Sequence, residues 1–102
     1  MPASEPVAAA SMRIDQFLWY ARLARSRAVA AALTRSGTFR LDGRRVDRAH
    51  APVRVGSVIG YVHGGTARII RVVALPHRRG PAVEAAALYI DLSPVDAPQT
   101  AQ

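Results

Sequence analysis

The sequence predicts an α+β domain in which two N-terminal helices pack on a small, mainly antiparallel sheet, with a short helix near the C-terminal end. Three observations carry this expectation. Apolar residues recur with a helical period from Met12 and with a period of two from Thr38 onward. A glycine, Gly37, falls on the boundary between the two regimes. The chain has 102 residues, half of them hydrophobic and none of them cysteine, so it suits one small core without disulfides.

Residues 1–11 carry Pro2, Pro6 and mostly small side chains, and a disordered terminus is expected there. Ile14, Phe17, Leu18 and Ala21 then fall at i, i+3, i+4 and i+7, one face of an amphipathic helix. Arg13, Gln16 and Tyr20 lie off that face. Leu23-Ala24-Arg25 reads as a short connection. Ser26 is placed to cap a second helix, its hydroxyl accepting from an early backbone N–H. Val29, Leu33 and the alanines 30–32 supply the apolar side of that helix. Gly37 stands where a left-handed C′ residue would end it.

In Thr38-Phe39-Arg40-Leu41 the residues Phe39 and Leu41 share a face and Arg40 takes the other. Asp42-Gly43 is a two-residue hairpin signal, because a type I′ turn needs positive φ at both positions. Arg44-Arg45-Val46 starts the returning strand. Residues 52–56 lead into a further strand over 57–62, and His63-Gly64-Gly65 turns the chain back into residues 66–73. Residues 76–81 form a loop holding Arg78 and Arg79. Ala82 to Tyr89 are expected as the short helix, and residues 92–102, with Pro94 and Pro98, as a loose tail. The domain is thus placed at residues 12–91.

Charge narrows the function. The formal net charge is +7, and every cation is an arginine. All fourteen arginines lie between Arg13 and Arg79, against only Asp15, Asp42 and Asp47, so residues 11–80 carry +11. The basic character belongs to the folded body and not to a tail. With twenty alanines and no lysine, the preference for arginine fits GC-rich codon usage. The deficit of acids has no such explanation. It points to a polyanion, either nucleic acid or an anionic membrane surface.

Several classes drop out. Residues 7–10 are a short apolar run without a basic leader, which is not the pattern of a signal peptide. No apolar stretch approaches the roughly eighteen residues that span a bilayer, so a cytoplasmic protein without a membrane partner is expected. His50, His63 and His77 stand alone, without Asp, Glu or Cys at ligand spacing, so no metal or other cofactor is expected. The glycines match neither a Walker pattern nor a dinucleotide fingerprint. Asp15 suits the first turn of a helix, where it would oppose the macrodipole and pair with an arginine, better than it suits acid–base catalysis. No catalytic domain fits the length, and the chain is read as no enzyme.

The cations cluster. Arg22, Arg25 and Arg27 surround the helix joint and the start of the second helix, whose amides favour an anion. Arg44 and Arg45 flank the Asp42-Gly43 turn. Phosphate contacts from such groups position a nucleic acid without reading its sequence. Trp19, Tyr20 and Tyr61 are either base-stacking platforms or packing residues.

Arg13-Ile14-Asp15-Gln16-Phe17-Leu18-Trp19-Tyr20-Ala21-Arg22, Arg25-Ser26-Arg27-Ala28, Ser36-Gly37 and Leu41-Asp42-Gly43-Arg44-Arg45-Val46 together resemble the S4-type RNA-binding domain, the alpha-L motif. Within that superfamily the pattern is similar to the ribosome-associated heat shock protein 15 family. Arg78-Arg79-Gly80-Pro81-Ala82-Val83-Glu84-Ala85-Ala86-Ala87-Leu88-Tyr89 resembles a segment of that family as well. The resemblance implies binding of structured RNA, ribosomal RNA or tRNA, and association with the large ribosomal subunit carrying a peptidyl-tRNA. That setting would be stress response, stalled-subunit recycling or quality control. It also implies RNA contacts from Arg13, Arg25, Ser26, Arg27, Arg44 and Arg45, to which the joint adds Arg22. The chain departs from the family pattern in having Asp42-Gly43 where Asn-Gly is common, and an acidic to neutral segment after Tyr89 where a basic extension often follows. Two other classes remain open on the sequence: an RNA-targeting subunit of an RNA-modifying enzyme, and a helix-turn-helix-like binder of duplex DNA.

Overall fold

The computed structural model describes residues 10–93. The expected disordered terminus and loose tail fall almost wholly outside that range. Leu92 and Ser93, assigned to the tail, are held to Ile69: the Leu92 N–H donates to its carbonyl at 2.7 Å, and its own N–H donates to Ser93 Oγ at 2.9 Å.

The two N-terminal helices form as the apolar spacing requires. Helix α1 spans Ile14–Tyr20 and buries Ile14, Phe17 and Leu18. Helix α2 spans Arg27–Thr34 and buries Ala30, Leu33 and Thr34. Thr34 satisfies its buried hydroxyl by donating to the Ala31 carbonyl at 2.7 Å. Gly37 is left-handed at φ 92°, but the helix has already closed at the C-cap Arg35. Its last N–H groups bond three residues back, from Arg35 to Ala32 and from Ser36 to Leu33. The glycine therefore sits one residue beyond the expected C′ position.

Two short strands, β1 (Met12–Arg13) and β4 (Pro52–Val53), pair antiparallel as a clasp that the sequence does not announce. The larger sheet has five strands, all antiparallel, in the order β3-β2-β5-β6-β7. They are β2 (Arg40–Leu41), β3 (Arg44–Arg45), β5 (Val58–His63), β6 (Thr66–Val72) and β7 (Tyr89–Asp91). Ile59 and Tyr61 from β5 and Ile70 and Val72 from β6 face the helices and are buried with Phe39 and Phe17. Phe39 and Tyr61 stack with centroids 5.7 Å apart, so Tyr61 is a core residue and no base platform.

The last element differs from expectation. Helix α3 covers only Ala82–Ala86, and Tyr89 belongs to β7. Alanine propensity favours a longer helix, but β6 has an edge whose backbone groups need partners. Val72 pairs with Tyr89 and Ile70 with Asp91, while the Val73 N–H donates to Leu88 at 2.8 Å. Edge pairing wins, and the short helix lies between two strands instead of ending the domain.

Candidate nucleic-acid interface

The surface is organised around one buried acid. Asp15 is 4% exposed, in the first turn of α1. Arg13 grips it with two bonds, Nε to Oδ1 and Nη2 to Oδ2, both 3.0 Å. The Gln16 N–H donates to it at 2.8 Å, and Arg27 Nη2 lies 3.6 Å from Oδ2. Burial pushes its carboxyl up, but the hydrogen bond and charge of Arg13, the Gln16 N–H and the charge of Arg27 together hold it below the ordinary 3.8. The structural role expected for Asp15 is the one it has. Two of the predicted contact residues, Arg13 and Arg27, are thereby partly neutralised, though each keeps about half its side chain exposed. The free amides that start α1 go to carbonyls of the neighbouring loop: Ile14 donates to Ala51 at 2.9 Å and Asp15 to Ala49 at 3.1 Å.

Arg22 ends the same helix in an unusual way. The Arg22 N–H bonds the Trp19 carbonyl at 3.1 Å and the Leu23 N–H bonds the Leu18 carbonyl at 2.9 Å. This is the paired bonding of a Schellman close, and Arg22 holds its left-handed C′ position at φ 60°, where glycine is usual. Its Nε donates to the Gly80 carbonyl at 2.7 Å. Arg79, beside Gly80, returns the tie by donating Nε to the Trp19 carbonyl at 3.1 Å. The guanidinium carbons of Arg79 and Arg27 lie over the Trp19 ring, 5.8 and 6.0 Å from its centroid. Trp19 is thus a platform for arginines.

Ser26 caps α2 as its sequence position requires, Oγ accepting from the Val29 N–H at 3.1 Å. Beside that cap lies an open concavity of about 560 Å³ lined by Arg22, Leu23, Arg25, Val29, His63 and Arg79. Among the described residues no carboxylate lines it.

A second concavity, about 520 Å³, flanks the β2–β3 hairpin and is lined by Arg44, Arg45, Arg48 and Arg54, together with Asp42 and Asp47. Asp42 at φ 53° and Gly43 at φ 82° form the type I′ turn that the sequence signals. The Asp42 carboxylate accepts from the Val58 N–H at 2.9 Å, which ties the hairpin to the start of β5. This acid therefore has a structural bond where the family pattern places an asparagine.

The predicted residues fall into three groups along one chain of contacts. Arg44 and Arg45 line the hairpin concavity, whose wall includes Pro52; Pro52 pairs with Arg13; Arg13 and Arg27 share Asp15; Arg27 and Arg79 share Trp19; Arg79, Arg22 and Arg25 line the other concavity. Sequence reasoning missed Arg48, Arg54, His63 and Arg79 as members of this surface. Arg48 had no motif to mark it, and Arg54 stood in a segment, residues 52–59, that resembles the S4-type continuation and is read only as the lead into the next strand. The Arg78-Arg79 pair was visible, but nothing local reveals that residues 76–81 return to the end of α1. Among the described residues no group of His, Asp or Glu could hold a metal ion, and no helix is long and apolar enough to cross a membrane.

A two-helix face on an antiparallel sheet, bearing an arginine band with few acids, is the arrangement that the resemblance to S4-type RNA-binding domains implies. Residues 12–59 match the S4 domain family model, and the chain is similar to the S4-domain proteins. Within that class it is similar to heat shock protein 15. It is 32% identical over 78 residues to the heat shock protein 15 homolog of Haemophilus influenzae, a match that covers 76% of this chain and 59% of the relative. It is 32% identical over 81 residues to heat shock protein 15 of Escherichia coli, which covers 79% and 60%. The chain thus spans about 60% of the length of these curated relatives. The structure of Vibrio cholerae heat shock protein 15, described as trimeric, superposes with a TM-score of 0.75 at 26% identity, covering 82% of this chain and 84% of that one.

Proposed function

We propose that this chain is a non-enzymatic RNA-binding protein of the cytoplasm that docks on ribosomal RNA, its target being the large ribosomal subunit carrying peptidyl-tRNA, in stalled-subunit recycling or quality control. Residues 12–91 are the binding unit. The observation that carries the reading is the arginine band joining two concavities, between which Asp15 is the one acid among the described residues. Ion pairing inside the protein leaves most of that charge unmatched, and a polyphosphate backbone matches it. Likeness to heat shock protein 15 supports the choice of ribosomal RNA over other polyanions.

In this reading Arg25, Arg44 and Arg45 hold phosphates directly. Ser26 fixes the start of α2, so that its remaining amides and Arg25 keep their aim. Arg13 is held along its Nε–Nη2 edge by Asp15, Arg27 is ion-paired to the same acid through Nη2 alone, and the remaining N–H groups of both meet RNA. Arg22 adds its charge from a position locked by Gly80.

Sedimentation of a cell extract containing the tagged full chain tests this. The protein should travel with large subunits, and more of it should do so when peptidyl-tRNA is trapped on them by stalling. Co-migration with small subunits alone, or with neither, would overturn the ribosomal assignment.

A further inference from the structure

We infer that the concavity lined by Arg22, Arg25, His63 and Arg79 is a second phosphate-binding subsite, which holds a backbone phosphate of the bound RNA; this rests on the RNA-binding reading above. His63 and Arg79 lie beyond residues 12–59, so chain outside the S4 match completes the subsite.

The charge balance of the lining is the first reason. The hairpin concavity sets Asp42 and Asp47 against its four arginines, whereas this one gathers three arginines and an imidazole with no acid among them. None of the ion pairs among the described residues involves Arg22, Arg25 or Arg79. Like charges gathered around one hollow repel, and a bound anion relieves that repulsion.

The second reason is how the guanidinium groups are held. Arg22 and Arg79 each commit the inner Nε to a backbone carbonyl, at 2.7 Å to Gly80 and 3.1 Å to Trp19. Their terminal nitrogens make no hydrogen bond within the described residues. A fork fixed at its base with its tips free has already lost the motion that binding would otherwise remove, and it fits the oxygens of a phosphate. Trp19 under Arg79 restrains the plane of the group further.

The third is conformational. Arg22 occupies a left-handed position that costs an ordinary residue energy and that glycine would take freely. Its side chain has a use that offsets the strain, and two are visible: the bond to Gly80 and a place in the lining. The hollow is also open to solvent, which suits a polymer backbone passing through better than a small enclosed ligand.

The experiment measures affinity of the full chain for a structured ribosomal RNA fragment across a range of KCl, for the wild type, Arg79→Gln and Arg79→Lys. Loss of one phosphate contact should flatten the log–log salt slope by about 0.7–0.9 in Arg79→Gln. Arg79→Lys, which keeps the charge, should recover most of that slope. Thermal unfolding is recorded beside each. If Arg79→Gln is poorly folded, the imidazole resonances of His63 in the wild type carry the test, and they should move as RNA is added. An unchanged slope and affinity in folded Arg79→Gln, or His63 resonances that stay fixed while RNA binds, overturns the subsite and leaves the broader reading standing. Absence of RNA binding by the wild type overturns both.

Discussion

Arg22 donates its Nε to the carbonyl of Gly80, a bond of 2.7 Å between residues 58 apart in sequence. It joins the end of the first helix to a loop outside the S4 match, and it holds an arginine in backbone geometry that favours glycine. Replacing Arg22 separates these effects. Arg22→Ala keeps the left-handed strain and loses the bond, whereas Arg22→Gly loses the bond and relieves the strain. The glycine variant should therefore be the more stable of the two by about 1 kcal/mol. Both should bind RNA more weakly than the wild type. Chemical denaturation of the pair checks the order.

Asp15 makes stability depend on pH in a defined direction. Its carboxyl is held below 3.8 in the folded chain, so the unfolded chain takes up the proton more readily. The stabilisation is full above the unfolded value and is lost as the pH falls through the folded one. Asp91 acts in the same sense, held down first by its bonds from Ser93, which outweigh the upward push of burial, and then by Arg68. Asp15→Asn should cost roughly 1–3 kcal/mol at neutral pH, since it weakens a charged bond network at a buried site. The gap from wild type should narrow as the pH falls below 3.8 and through the lower folded value. Thermal melts of both proteins at neutral and acid pH test the sign.

Ser26 accepts from the Val29 N–H, and its loss should act on stability before it acts on chemistry. Ser26→Ala should lower stability by about 1 kcal/mol. For a domain of this size that is a fall of roughly 4–8 °C in Tm. Ser26→Thr and Ser26→Asp should retain most of the cap, and calorimetry would rank the three.

Asp42 opposes anion binding while holding the Val58 N–H. Asn keeps an acceptor oxygen and tolerates positive φ. Asp42→Asn should therefore fold with the same hairpin and bind RNA more tightly at low salt, the advantage fading as salt screens the removed charge. Equal affinity at low salt would show that RNA does not approach this turn.

Local patterns reveal what local physics decides. The spacing of Ile14, Phe17, Leu18 and Ala21, the Ser26 cap and the Asp42-Gly43 turn each depend on a few neighbouring residues, and each appears as the sequence suggests. Tyr89 was misplaced because its position in β7 is set by the open edge of β6, not by the alanines before it. Met12–Arg13 pairs with Pro52–Val53 for a reason equally invisible along the chain. The interface divides in the same way. Arg44 and Arg45 can be placed from the turn they flank, and Arg25 and Arg27 from the helix they precede. Arg79 and His63 join the surface only because the chain beyond residue 59 folds back on α1.

The salt dependence of RNA binding addresses the arginine band most directly. The full chain should bind a structured ribosomal RNA fragment with log K falling linearly in log salt. Roughly five duplex phosphate contacts would give a slope near −4.5. The same chain should prefer that RNA to duplex DNA of equal length at fixed salt. A flat salt response, or equal competition by duplex DNA, would contradict an RNA-binding role for the band.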